Sequence, residues 1–268
     1  MPEIRRRGRP KAFNGPQSQN TIQALDRALD VLEALAKAEG MTLSELASQL
    51  DQSTATMHRV LATLERREFV EISTDGQIWH IGPEAYRLGA AFLRRSNVIE
   101  LSRPIMRELM LETGETSNLG IEKDGNVLFV SQVETHESIR AFFPPGTLSP
   151  LHASGIGKAL LSTYDENRLA KLFEGKDLER FTENTVRSFD QLRSELNRTR
   201  DRGYAFDDEE RTKGMRCVAA PILNVHGEAV AGISVSGPKH RVEDSDVHRI
   251  GERVRRAATM VSRRLGAP

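Results

Sequence analysis

Three short runs in this chain carry side chains whose types and spacing could do chemistry. Ser154-Gly-Ile-Gly157 opens an apolar helical stretch, so its backbone N–H groups would be unpaired at the positive end of the helix dipole. Such an end receives a carboxylate or phosphate, and the glycines would let a small anion approach the backbone closely. Ser234 and Ser236 end the apolar run Ala229-Val-Ala-Gly-Ile233. Being two apart, they share one face of a strand and could add hydroxyls to a compact polar site. The alternative for this pair is a solvated sheet face. The single cysteine, Cys217, admits two readings. With His152 as base and Asp207 as orienter it would be the nucleophile of a hydrolase. At the head of the apolar strand Val218-Ala-Ala-Pro-Ile222 it has no helix N-terminus of its own to lower its pKa. There it reads as a small buried hydrophobe or ligand contact, which is the favoured reading, with His152 a hydrogen-bonded structural histidine.

Two further matches fail or weaken on inspection. Gly157-Lys158 looks like the end of a nucleotide P-loop, but His152 stands where the first glycine belongs. Ala159 also replaces the hydroxyl that holds Mg²⁺, so nucleotide binding is rejected. Asp207-Asp-Glu-Glu210 has metal-ligating types, yet it reads better as a solvated acidic loop, and no metal or other cofactor is expected.

A fourth run suggests DNA. Leu43, Leu46, Ala47 and Leu50 recur at helical spacing, a break follows at Asp51-Gln52, and a second helix restarts at Ser53 as N-cap. The second helix is expected to bury Ala55, Met57, Val60, Leu61 and Leu64. Ser53, Thr54, Thr56, His58 and Arg59 would then face outward, small or polar enough to approach base edges and phosphates from the major groove. A helical hairpin in a bundle has the same periodicity, so the flanks matter. Residues 5–11, Arg-Arg-Arg-Gly-Arg-Pro-Lys, hold five basic side chains and no acid. Residues 1–19 read as a disordered basic arm, and Arg7-Gly8-Arg9-Pro10 is similar to an AT-hook whose arginines enter a narrow minor groove. A solubilising tail is the plainer alternative.

The elements that must position these residues follow from periodicity. An amphipathic helix from Ile22 to Ala38 precedes the helix-turn-helix, and Val70–Ile72 with Gln77–Ile81 flank a tight turn as a two-stranded wing seated by Trp79. Helices are expected over 84–95, 98–112, 155–162, 165–172, 188–202 and 245–265. Strands are expected over 116–122, 126–133, 139–143, 204–207, 217–223 and 229–236. The fold class is therefore α+β. An arm (1–19) leads into a winged helix-turn-helix (20–82), a linker helix (83–97) and an α/β domain with an antiparallel sheet (98–268). Lys+Arg and Asp+Glu balance at 38 each, so overall charge does not argue for a polyanion partner. A single cysteine excludes an internal disulfide framework and points to a reducing cytoplasm. No long apolar run suggests a signal peptide or membrane span.

Together these residues resemble the IclR family of bacterial transcriptional regulators. The resemblance rests on Ala24-Leu-Asp-Arg-Ala-Leu-Asp-Val-Leu32, Thr56-Met-His-Arg-Val-Leu-Ala-Thr-Leu-Glu65 and Tyr86-Arg-Leu-Gly89. It rests further on Leu151-His-Ala-Ser-Gly-Ile-Gly-Lys-Ala-Leu160, Arg202-Gly-Tyr-Ala-Phe-Asp-Asp-Glu-Glu210, Cys217-Val-Ala-Ala-Pro-Ile222 and Gly232-Ile-Ser-Val-Ser-Gly237. It implies a GAF/PAS-like effector-binding domain, dimers through the DNA-binding half, often a dimer of dimers, and a near-palindromic double-stranded operator. At the turn before Ser53, Asp51-Gln52 departs from the family's Pro and Lys. Members that sense glyoxylate have a pocket whose residues match Gly155, Ile156, Asp207, Cys217, Ser234 and Ser236, save that alanine is frequent at Ile156. The resemblance then implies that the Gly155 and Ile156 amides hold the carboxylate with Ser234. Asp207 would accept from the hydrated aldehyde, Ser236 and Cys217 would complete the polar wall, and Leu148 and Met215 would form the apolar side. Pyruvate, glycolate and aromatic acids are the alternative effectors.

Overall fold

Apolar residues at helical spacing build the first of two units. Val31, Ala34 and Leu35 of α1 (Gln23–Ala38), Leu46 and Ala47 of α2 (Leu43–Gln49), and Met57, Leu61 and Leu64 of α3 (Thr54–Glu65) are buried together. Thr42 and Glu45 form a capping box that starts α2. At its other end Gln52 N–H donates to Ala47 O, and Asp51 takes the left-handed position with φ 48°. A short polar side chain tolerates that φ, which a proline ring cannot reach. Ser53 then caps α3, its Oγ accepting from Thr56 N–H at 3.2 Å.

The computed structural model describes residues 22–38, 40–74, 77–95 and 97–267, with backbone only at 92–95 and 97. The arm of residues 1–19, including Arg7 and Arg9, and Asp75-Gly76 of the wing turn lie outside the described residues. Where two wing strands are expected, three are found: β1 (Met41–Thr42) pairs with β3 (Ile78–Ile81), which pairs with β2 (Val70–Ile72). Trp79 is buried opposite Met41, a packing residue as expected. One expectation fails here: Ala55 is exposed rather than buried. Ile22, just before α1, and Leu25 and Leu29 on its first half are exposed as well. α4 (Pro83–Arg95) begins with proline at its first turn, where the missing N–H costs nothing.

The chain divides into two compact units between Phe92 and Leu93. The second holds a six-stranded antiparallel sheet in the order β6-β5-β4-β9-β8-β7. Its strands are β4 (Thr116–Lys123), β5 (Asn126–Val133), β6 (Leu148–Pro150), β7 (Ala205–Asp208), β8 (Met215–Leu223) and β9 (Ala229–Pro238). Alternation along β8 and β9 sends Val218, Ala220, Ile233 and Val235 to one face, against α5 (Asn97–Thr113) and α9 (Asp244–Arg264). Ala205 and Ala219 face the other way, against α6 (Gly155–Leu161), α7 (Glu166–Phe173) and α8 (Phe189–Arg202). The α+β class and the antiparallel sheet are as read from the sequence. The strand expected at 139–143 is absent and the edge strand lies at 148–150 instead. Pro144 and Pro145 cannot donate to a ladder, so pairing resumes only after Gly146 turns the chain. Among the described residues no helix is long and apolar enough to cross a membrane.

Candidate functional site

Strand register assembles one wall of the site. Asp207 lies opposite Cys217, and Cys217 opposite Ser236, so three polar groups stand in a row across β7, β8 and β9. The next row on that face is Ala205, Ala219, Ser234 and Asn118. The two small alanines leave room for the start of α6 to sit directly on the sheet.

Glycines make that approach feasible. A Cβ on Gly155 would lie 2.7 Å from Cys217 Sγ, one on Gly232 2.7 Å from Ile156 Cγ2, and one on Gly157 2.1 Å from the Leu151 carbonyl oxygen. The glycines of the Ser-Gly-Ile-Gly run thus also serve packing, letting the helix start close on the sheet. Ser154 Oγ accepts from Gly157 N–H at 2.9 Å, and its carbonyl from Lys158 N–H. Among the described residues no acceptor faces the Gly155 and Ile156 amides.

Those two residues, with Asp207, Met215, Cys217, Ser234 and Ser236, line a cavity of about 30 Å³. A few heavy atoms fill it. Of the effector residues read from the sequence only Leu148 is not brought to the wall. It is exposed on the edge strand β6, and alternation turns its neighbour Ser149 inward instead. The apolar side comes from Phe129 and Phe143, whose rings stack at 4.9 Å, and Arg211 reaches the wall with its guanidinium donating to Ser149 Oγ. None of these carries a local sequence signal, because β5, the following loop and the β7–β8 loop meet only in the fold.

Ser234 Oγ is fully buried and has no hydrogen-bond partner of proper geometry, although it lies close enough to the Cys217 thiol to favour its anion. Ser236 Oγ accepts from Asn118 Nδ2 at 3.2 Å, Asn118 Oδ1 accepts from Gln132, and the Ser236 hydroxyl also lies close enough to the Cys217 thiol to favour its anion. Asp207 is accessible from the cavity yet enclosed by protein. Burial, then the nearby Glu210 charge, push its carboxyl up to about 7 against the pull of Lys158, and Oδ1 accepts from Glu210 N–H. Burial and the Asp207 charge push the Cys217 thiol up to about 11.

The acidic run is not the solvated loop expected. Glu209 and Glu210 are buried; Glu209 pairs with Lys239, and Asp208 with Arg216. Glu210 pairs with the fully buried Lys158, whose ammonium also donates to the Phe206 carbonyl. Among the described residues no group of His, Cys, Asp or Glu is placed to hold a metal ion. His152 is off the cavity wall and bonds the Glu179 carbonyl at 2.9 Å, so it does not face Cys217 as a base.

A separate surface lies on the first unit. Thr54, His58 and Arg59 of α3 are exposed on the side that also shows Ala55, Ala62 and Thr63. Ser53 is exposed and Thr56 half-buried, and their hydroxyls bond each other at 2.8 Å, so both are engaged in capping. Arg66 and Arg67, exposed just beyond α3, are cations that the periodicity did not single out.

Comparison with known proteins accounts for both surfaces. Residues 24–72 match the IclR helix-turn-helix domain, and residues 90–263 match the bacterial transcriptional regulator IclR C-terminal family. The chain is 51% identical over 263 residues to the HTH-type transcriptional regulator BhcR of Paracoccus denitrificans, covering 97% of this chain and 94% of that protein. It is 38% identical over 264 residues to the transcriptional repressor IclR of Escherichia coli, covering 97% and 96%. The crystal structure of the Thermotoga maritima IclR superposes with a TM-score of 0.79 at 28% identity, over 91% of this chain and 99% of that one. A winged helix-turn-helix, an antiparallel sheet carrying a small cavity, and likeness over nearly the whole chain to transcriptional regulators lead to one conclusion: this chain belongs to the IclR family of ligand-responsive bacterial transcriptional regulators.

Proposed function

We propose that the cavity takes a short carboxylate bearing an oxo or hydroxy group at C2, glyoxylate ahead of pyruvate and glycolate, and that binding changes the affinity for DNA. The observation that carries this reading is the meeting of the unpartnered Ser234 hydroxyl with the two acceptor-free amides of Gly155 and Ile156 in a space of about 30 Å³. A carboxylate satisfies all three donors. Asp207 then accepts from the hydrated aldehyde, Ser236 donates to its second oxygen, and Phe129, Phe143 and Met215 exclude larger acids.

On DNA, two α3 helices of a dimer enter successive major grooves of a near-palindromic double-stranded operator. Thr54, His58 and Arg59 reach bases or phosphates, Ser53 and Thr56 fix the helix start beside a phosphate, and Arg7 and Arg9 of the arm add salt-dependent affinity. Exposed Ile22 just before α1, with Leu25 and Leu29 on it, support self-association, to a dimer and on to a tetramer. The protein acts in the cytoplasm with no cofactor. α4 carries the chain from one unit to the other and transmits the effector's signal.

The test is isothermal titration with glyoxylate, pyruvate and glycolate on the native protein and on the Ser234→Ala/Ser236→Ala variant. Glyoxylate should bind most tightly to the native protein, with binding lost in the variant. Equal binding to both would overturn the site.

A further inference from the structure

Cys217 does more at this wall than fill space. Its Sγ lies against Gly155, whose added Cβ would come within 2.7 Å of the sulfur. Gly155 is also one of the two residues whose amides are open to a carboxylate. In a two-carbon acid held there, the aldehyde carbon is one bond from the carboxylate carbon and so falls beside the sulfur. Asp207 stands directly across the strand pair from Cys217, and Ser236 directly across on the other side. An independent sign that a ligand belongs on this wall is Ser234, fully buried, facing the cavity and without a proper hydrogen-bond partner.

We propose that Cys217 Sγ adds reversibly to the aldehyde carbon of a bound aldehyde-acid, holding the effector as a thiohemiacetal. This rests on the small oxo-acid reading of the cavity. In the step the S–H bond breaks and its proton passes to one oxygen of the neutral Asp207 carboxyl while the other oxygen gives up its own. The S–C bond forms as the carbonyl π bond opens, and the carbonyl oxygen takes that released proton to become a hydroxyl. Nothing is oxidised or reduced, and the adduct is the sum of thiol and aldehyde. Its hydroxyl can donate to Asp207 as the hydrate's would, and its oxygen can accept from Ser236. A thiol raised to about 11 holds no standing thiolate at neutral pH, so the reaction needs the neighbouring carboxyl to relay its proton. With its own pKa near 7, Asp207 can take and return a proton there. The adduct also supplies a selectivity that hydrogen bonds alone do not. An aldehyde adds a thiol readily, a ketone less so, and a hydroxy acid not at all.

The test pairs Cys217→Ser, which keeps size and polarity but weakens the nucleophile, with a direct look at the carbon. By titration, Cys217→Ser should lose glyoxylate affinity by about tenfold or more while glycolate affinity changes little. By carbon NMR, glyoxylate labelled with ¹³C at the aldehyde carbon should show a sulfur-bound tetrahedral carbon on the native protein, distinct from the hydrate and absent in Cys217→Ser. A bound signal of the hydrate alone, or equal losses for glyoxylate and glycolate, would overturn the adduct while leaving the effector reading intact. No binding of glyoxylate to the native protein would overturn both.

Discussion

The reading helix and the effector cavity use opposite physical strategies. α3 presents Thr54, His58 and Arg59 to solvent from one helix, held by a core of Met57, Leu61 and Leu64 directly beneath. The cavity gathers its polar groups from β7, β8, β9 and the start of α6, up to 81 residues apart between Gly155 and Ser236, and sets them back from the surface. On the exposed surface a charge acts through long-range attraction. In the cavity, burial rewrites protonation, and one missing partner costs more than one charge gained. Changes at the two places should therefore differ in kind as well as in size.

The largest contrast is expected at Lys158. Replacing it with Met leaves Glu210 buried without its cation, and chemical denaturation should show the unit of residues 93–268 destabilised by about 3–5 kcal/mol. A neutral result would mean that the Lys158–Glu210 pair does not stabilise this unit.

Arg59→Ala should leave the fold and acid binding untouched and weaken operator binding by about 1–3 kcal/mol, measured by fluorescence anisotropy on labelled DNA. A loss of acid binding instead would erase the division of labour.

The smallest effect is on pH. Asp207 faces Glu210, Lys158 and Asp208, and its folded pKa of about 7 exceeds the ordinary 3.8. The folded state thus keeps a proton that the unfolded chain releases, so this group's contribution to stability falls as pH rises from about 4 to about 7 and is level above. A bound anion favours the neutral carboxyl further, so acid binding takes up a proton. Glyoxylate affinity should fall by up to about tenfold per pH unit above 7, and Asp207→Asn should flatten that slope. An unchanged slope would place the proton elsewhere.

Sequence reading succeeded where structure is local. The N-cap at Ser53, the break at Asp51, and the helix from Ser188 to the left-handed Gly203 all follow from residues a few positions apart. So do the strands that carry Asp207, Cys217, Ser234 and Ser236, because each is a short run rich in apolar residues. The misses are tertiary. Leu148 was placed on the cavity although its strand's alternation turns Ser149 inward, and the register of so short an edge strand is set by β5 rather than by its own residues. Glu209 and Glu210 read as solvated because nothing near them in sequence names Lys239 or Lys158 as partners. Ala55 read as core because a helix that buries only three side chains leaves its apolar small residues ambiguous.

The most direct test of the central claim is operator affinity with and without glyoxylate, on a DNA fragment selected from a random pool by the native protein. The account expects a 5–150-fold change, a coupling of about 1–3 kcal/mol, that vanishes in Ser234→Ala/Ser236→Ala while that variant's affinity without glyoxylate stays as in the native protein. The same change in both proteins, or none in either, would contradict it.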